Sequence, residues 1–520
     1  MPHPSLLSGR VENHKSQPAR AFALAFLSVI PARESAVAAK KPTDNPRNRT
    51  SQMLYSGQLM KNLAWLLLLL TLPATANTPA PTRLTAPQLI ALANAKDPTL
   101  RDAITATFDA KDLKAGTAWS GHGPDFFFAI ESASQPTLII DEEAGTPMQP
   151  AGATGANLWF ATARIDAVAR LHAFHYKING ADFGGRLDMP AYGPLFYLLP
   201  GVPSGTLSEK IVHTSKIYDG MKSNYWIYVP AQYDPKTPAA LMVFQDGQGY
   251  ANRDGDHGIL SVIDNLIAQK KIPVMICVFI NPGSVKDSPG TPTYNFVQAH
   301  AERFHRPLDD AMRSTLYDTV SDRYIRFLRD EILAEVATRY NLRKDAYSRA
   351  IAGASSGGIC SFNAAWQMTG DTAQFSRVIS WIGSFTNIQW ADSTGNIDPA
   401  QPGVTQGGQD YPDKILREPH RNIRVWLQDG SNDMENPNWG SWPLANIRMA
   451  NALKTREYDF HFSFGKGTHN DGQGAAEFPA AMTWLWRDYD PTKTEQTYEI
   501  DPEEKAKPFF RVTITNRSSE

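Results

Sequence analysis

The sequence predicts an α/β architecture with a mostly parallel sheet, preceded by a smaller β-sandwich-like domain. Three observations carry this expectation. Past residue 205, continuous apolar runs alternate with helical periods, as strands covered on both faces and joined by crossover helices require. Between about Thr117 and Leu199, short apolar runs alternate with turn residues, the spacing of a β-sandwich. Between the two regions, Leu199-Pro200-Gly201-Val202-Pro203-Ser204-Gly205 is rich in turn formers and lacks periodicity, which marks a domain boundary.

The elements follow in chain order. Met60-Lys61-Asn62, the leucine run Leu63 to Leu72 and Ala74-Thr75-Ala76 have the basic end, apolar core and small-x-small site of a secretory signal peptide. An apolar core of about ten residues is too short to span a bilayer, which needs about twenty. Residues 60–76 are therefore expected to be cleaved after Ala76. Residues 1–59 are read as a non-native upstream or disordered extension, with Met60 as the expected translation start. An exported protein, periplasmic or extracellular, follows, with no stable membrane insertion after cleavage.

Residues 77–205 are assigned to an N-terminal helical segment plus the sandwich. The helical pattern runs from Leu84 to about Phe108, with Thr85 as N-cap before Pro87. Strands are expected around Phe126-Phe127-Phe128, at Thr137 to Ile140, around Leu158-Trp159-Phe160 and at Leu171 to Ile178. In the last of these His172, Phe174, Tyr176 and Ile178 share one face, and Asn179-Gly180 supplies a hairpin turn. Trp159, Phe174 and Tyr176 are read as core in preference to a ring-stacking surface.

Residues 206–490 form the larger domain, and 491–520 a C-terminal tail. Strands are expected at Tyr225 to Val229, Ala240 to Gln245, Val274 to Ile280, Arg349 to Gly353, Val378 to Ile382, Ile423 to Gln428 and Tyr458 to Phe464. A helix is expected over Ser321 to Tyr340, where Tyr324, Phe327, Leu328, Ile332 and Val336 recur at helical spacing.

Bulk composition narrows the function. The 520 residues exceed one ordinary core. With 51 Lys and Arg against 53 Asp and Glu, the net charge of -2 gives no general attraction to nucleic acid or anionic lipid, so a small or neutral partner is expected. Cys277 and Cys360 make no disulfide framework and lack zinc-site spacing; they are read as buried thiols, with a single bridge as the lesser alternative.

Chemistry enters at Gly353-Ala354-Ser355-Ser356-Gly357, a G-x-S-x-G motif placed between the apolar run ending at Ala352 and the helical stretch Ile359 to Met368. A sharp strand-to-helix turn there would expose the Ser355 hydroxyl. A serine needs a base, and the base needs a carboxylate to hold its tautomer. Val425 to Gln428 leads into Asp429-Gly430-Ser431-Asn432-Asp433, and Phe462 to Phe464 leads into Gly465-Lys466-Gly467-Thr468-His469, then the helical stretch Ala475 to Trp486. His469 is preferred among 12 histidines because it follows a strand end: His461 falls within a strand, His213 precedes the first strands of its domain, and His300 and His305 follow no strand. For the acid, Asp433 is preferred to Glu435, and Asp429 is read as a turn cap. The oxyanion donors are assigned to the backbone N–H of Ser356 and, in the loop Asp246 to Tyr250, to that of Gln248 in preference to Gly247.

These residues resemble the putative-esterase family of α/β-hydrolases, most nearly its enterochelin-esterase-like branch, which is related to feruloyl and acetyl xylan esterases. The likeness spans about Ser208 to Tyr489. It rests on Tyr228-Val229-Pro230, Phe244-Gln245-Asp246-Gly247, Gly353 to Gly358, Gln428 to Asp433 and Gly467-Thr468-His469. It implies an α/β-hydrolase domain and a metal-independent serine esterase with Ser355, His469 and Asp433 in the roles given, and no cofactor. Asp246-Gly247 stands where many feruloyl and formylglutathione enzymes have His-Gly, so their substrates are not carried over. The expected activity is hydrolysis of a carbohydrate-linked, siderophore-type or small ester through an acyl-enzyme. Two alternatives remain: an acyltransferase on the same fold, and a catalytically silent carbohydrate- or siderophore-binding protein.

Overall fold

The computed structural model describes residues 83–152, 157–288, 290, 292–303, 305–388, 407–437 and 439–513. The expected upstream extension and signal peptide lie outside the described residues. The described residues belong to one compact unit, Thr78–Glu520.

Three helices open it: α1 (Ala86–Asn94), α2 (Leu100–Thr107) and α3 (Ala110–Ala115). Thr85 and Gln88 form a capping box at α1, with the Thr85 N–H donating to Gln88 Oε1 at 2.9 Å. The single helical pattern expected over Leu84 to Phe108 is thus two helices, broken where Asp97 precedes Pro98.

Eight strands follow: β1 (Ala118–His122), β2 (Asp125–Glu131), β3 (Thr137–Ile140), β4 (Thr146–Pro147), β5 (Gln149–Pro150), β6 (Leu158–Arg164), β7 (Arg170–Ile178) and β8 (Ala181–Ala191). They form two antiparallel sheets, β1-β2-β6-β5 and β4-β3-β7-β8. Alternation along β2 explains how the sheets stack. Phe126, Phe128 and Ile130 pack against Phe174 and Tyr176 of the other sheet, while Phe127 and Ala129 face α1 and α2. Asn179 and Gly180, at φ 51° and 83°, turn β7 into β8 as a type I′ hairpin requires. Phe174 and Tyr176 are core; Trp159 is half-buried with its indole N–H on the Ser132 carbonyl at 2.9 Å.

The large sheet contains β9 (Thr206–Leu207), β10 (Ile211–Thr214), β11 (Lys222–Val229), β12 (Ala240–Gln245), β13 (Met275–Ile280), β14 (Arg349–Ala354), β15 (Arg377–Trp381), β16 (Arg424–Gly430) and, after the short hairpin β17 (Glu435–Asn436) and β18 (Gly440–Ser441), β19 (Asp459–Gly465). Its order is β10-β11-β13-β12-β14-β15-β16-β19, with β9 beside β11. Pairing is antiparallel on the β9, β10 and β11 side and parallel from β13 through β19.

The helices between are α4 (Ile259–Ala268), α5 (Pro292–Arg303), α6 (Leu308–Tyr317), α7 (Arg323–Phe327), α8 (Leu333–Ala337), α9 (Ser356–Gln367), α10 (Tyr411–Arg417), α11 (Trp442–Thr455) and α12 (Gly472–Leu485); α13 (Pro502–Ala506) follows near the end. Alternate residues of the buried strands divide two cores. Met242, Phe244, Cys277 and Ala352 meet α4 and α12; Leu241, Val243, Val278 and Ile351 meet α6 to α9 and α11. Cys277 and Cys360 are both free and buried, on opposite layers. A π turn over Leu328–Ile332 divides the helix expected from Ser321 to Tyr340 and keeps Phe327, Leu328, Ile332 and Leu333 all against the core. The C-terminal segment is packed: Tyr498 and Ile500 are buried, and Phe510 meets Phe462 edge-on at 5.0 Å.

Strand order reverses around β12. Its crossover through α4 leads to β13 on one side, and β14 lies on the other, which opens a crevice at the carboxyl ends of β12 and β14. The Asp246 loop and the Ser355 turn both begin there.

At the opposite end of the sheet, Arg424 Nε donates to Asp459 Oδ2 at 2.6 Å, with both side chains almost fully buried, and Arg487 Nη2 reaches Asp459 Oδ1 at 2.6 Å. Asp459→Asn should cost about 1–3 kcal/mol of unfolding free energy, because Arg424 loses its buried carboxylate partner and keeps only the half-exposed Asp488 at 3.1 Å, measured by denaturant titration.

Candidate active site

Ser355 stands between β14 and α9 with φ 58° and ψ -123°, a conformation that costs about 1–3 kcal/mol for a residue with a side chain. Its neighbours hold it there: its N–H donates to the Trp381 carbonyl at 2.9 Å and its carbonyl accepts from Gly358 and Ser384. Gly353 has no substitute in this turn, because a Cβ would stand 2.4 Å from the Gly357 carbonyl oxygen.

His469 lies in the loop after β19. Its Nε2 is 2.8 Å from Ser355 Oγ and its Nδ1 is 2.5 Å from Asp433 Oδ1. With a carboxylate on Nδ1, that nitrogen carries the proton and Nε2 accepts from the serine hydroxyl. The Asp433 side chain is fully buried, and that of His469 is one-quarter exposed. Glu435, the other carboxylate weighed for this position, is exposed and accepts from Ser441 Oγ at 3.4 Å.

Three further side chains shape the site that sequence patterns did not single out. Ser384, fully buried, has Oγ 3.3 Å from Ser355 Oγ and accepts from the Trp442 indole N–H at 3.0 Å. The Trp442 ring meets His469 edge-on at 5.4 Å. Arg313 of α6 makes a bidentate pair with Asp246, at 2.9 and 2.6 Å, and its Nη2 also donates to the Ala354 carbonyl at 3.3 Å. One guanidinium thus ties the loop after β12, where Asp246 sits at φ 54°, to the residue before Ser355.

In that loop Gly247 is required by contact, since a Cβ would stand 2.3 Å from the Phe279 carbonyl carbon. The Gln248 N–H, assigned above to an oxyanion, donates to Asn281 Oδ1 at 2.8 Å. Ser356 is the first residue of α9, where backbone N–H groups have no partner within the helix. Among the described residues, no group of three or more His, Cys, Asp or Glu is arranged to hold a metal ion, and no helix is long and apolar enough to cross a membrane.

Asp429 stands behind Asp433. It is fully buried, and its Oδ1 accepts from the Gly430 N–H at 2.7 Å, as a turn cap does. Burial first, then the Asp433 carboxylate beside it, raise its carboxyl far above the usual range, so Asp429 is the neutral partner of this pair. A raised folded-state value means that the folded chain holds a proton which the unfolded chain releases above about pH 4, so this group costs stability increasingly as pH rises. Asp429→Asn keeps an acceptor for Gly430 and cannot ionise. It should therefore melt higher than the wild type at about pH 8, with the gain shrinking toward about pH 4; a gain independent of pH would contradict the assignment.

A family model described as putative esterase matches residues 219–485. No curated protein sequence matches the chain. Among solved structures, the enterobactin esterase from Shigella flexneri is similar at 15% identity and a TM-score of 0.43, over 73% of this chain and 99% of that one. A ferulic acid esterase is similar at 16% identity and a TM-score of 0.39, over 55% and 100%. The ferulic acid esterase of Anaeromyces mucronatus is similar at 16% and 0.37, over 56% and 94%. With its family model covering the large sheet's strands from β11 through β19 and all of α12, the chain belongs to the putative esterase family, the carboxylic ester hydrolases of α/β-hydrolase type.

Proposed function

We propose that the protein is an exported serine esterase that cleaves its ester through a Ser355–His469–Asp433 triad. The continuous hydrogen-bonded line of these three side chains is the observation that carries the reading. Ser355 attacks the ester carbonyl while His469 Nε2 takes its proton, and the imidazolium is held by Asp433. His469 then gives that proton to the leaving alcohol. Water, deprotonated by the same nitrogen, releases the acyl group and restores the serine.

The oxyanion of each tetrahedral intermediate is assigned to the N–H groups of Ser356 and Gln248. A developing oxyanion is a stronger acceptor than the neutral amide oxygen of Asn281, so the Gln248 N–H exchanges one for the other during reaction. The substrate classes proposed are those implied by the family resemblance: a carbohydrate-linked, siderophore-type or small ester. Export rests on the sequence of residues 60–76.

Ser355→Ala should lower hydrolysis of an activated aryl ester by at least about 10⁴-fold. Its melting temperature should stay near that of the wild type, because the backbone bonds of the turn remain. Equal turnover by the variant would overturn the assignment. A panel of sugar acetates, feruloylated sugars and catecholate trilactones, run on protein beginning at Asn77, then identifies the ester.

A further inference from the structure

The loop that carries His469 is held from outside the large sheet. Asp188, on β8 of the sandwich, takes the N–H of Thr468 on Oδ1 at 2.8 Å and the Thr468 hydroxyl on Oδ2. Thr468 directly precedes His469. Both carboxylate oxygens are therefore spent on one residue, with the backbone bond fixing the chain and the hydroxyl bond fixing its rotation. The approach is close enough that a Cβ on Gly467 would stand 3.0 Å from Leu171 Cδ1 and 3.3 Å from Asp188 Oδ1.

The other side of the loop is anchored within the large domain. Asp471 Oδ2 lies 2.8 Å from His257 Nε2 and accepts from the Tyr250 hydroxyl at 3.2 Å. His469 thus sits between two anchored positions, 468 and 471. Beside the Asp188 contact the seam is open: a cavity of about 1000 Å³ lies between Leu171 and His172 of β7 and Phe464, Lys466 and Gln473. Lys466 and Gly467 are bonded through their carbonyls to Asn432 of the loop after β16, at 2.7 and 3.1 Å, while Thr468 itself, next to His469, is held by the two Asp188 bonds.

We propose that Asp188 is a positioning residue for His469, so that the N-terminal sandwich completes the active-site geometry. The proposal rests on His469 being the base, as assigned above. Displacing a catalytic group by about 1 Å can cost about 10²-fold in rate. Loss of the anchor on Thr468 should therefore appear in turnover before it appears in substrate binding.

The test uses the full chain and p-nitrophenyl acetate, with kcat, KM and melting temperature measured for Asp188→Ala, Asp188→Asn and Thr468→Val beside Ser355→Ala. Asp188→Ala should lower kcat about 10-fold or more with KM within about 2-fold. Asp188→Asn should restore most of it, since its carbonyl accepts the Thr468 N–H and its amide donates to the hydroxyl oxygen. An unchanged kcat in Asp188→Ala overturns the proposal. So does a fall in kcat that tracks a fall in melting temperature and is not restored by Asp188→Asn, because the contact is then domain packing alone. If Asp188→Ala does not fold, Thr468→Val decides: a kcat drop of about 3-fold is expected from losing one hydrogen bond, and an unchanged kcat overturns the proposal. Full turnover by Ser355→Ala would remove the triad itself, and the proposal with it, a failure distinct from an inactive Ser355→Ala beside an unaffected Asp188→Ala.

Discussion

The hydrogen bonds from Ser355 through His469 to Asp433 depend on a constraint of backbone geometry: parallel strands deliver their carboxyl ends to one rim. Ser355 follows β14, Asp433 follows β16 and His469 follows β19. The registers of β14 with β15, β15 with β16 and β16 with β19 fix how far each loop must reach. Side chains separated by 114 and 36 positions meet at hydrogen-bond distance because the strands beneath them are already ordered. The strained serine turn then costs little further order, since its neighbours Trp381 and Ser384 sit at the end of the adjacent strand.

Three carboxylates around this rim are each paired with donors. Asp246 is paired with Arg313, Asp471 with His257, and Asp188 with two donors of Thr468. Asp429 is kept neutral instead, by burial and by the Asp433 carboxylate beside it. The consequence is a buried carboxylate facing His469 with no second negative charge behind it. In the proposed mechanism the imidazolium would otherwise face two carboxylates competing for one proton.

Much of this was legible before the fold was known, for reasons that differ by residue. The strand Ala240 to Gln245 was readable to the residue because a strand buried on both faces is apolar without interruption and ends at a polar break. Ser355, Asp433 and His469 were readable because each stands a short, turn-rich distance after such a strand. Asp188, Arg313, Ser384 and Trp442 carry no such mark. Asp188 meets Thr468 across 280 positions and Arg313 meets Asp246 across 67, and nothing local in either segment encodes the partner. The two-helix division of residues 86–107 and the π turn at Leu328 were hidden for a related reason: an apolar stripe reports which face is buried and not where the winding changes.

The proposed site makes one side chain uniquely reactive toward an electrophile that mimics the tetrahedral intermediate. Mass mapping of the protein after exposure to a fluorophosphonate tests this most directly. One adduct is expected, on the peptide containing Ser355, with its formation abolished in His469→Ala. Ester hydrolysis with no adduct, or with the adduct on another serine, would show that Ser355 is not the nucleophile.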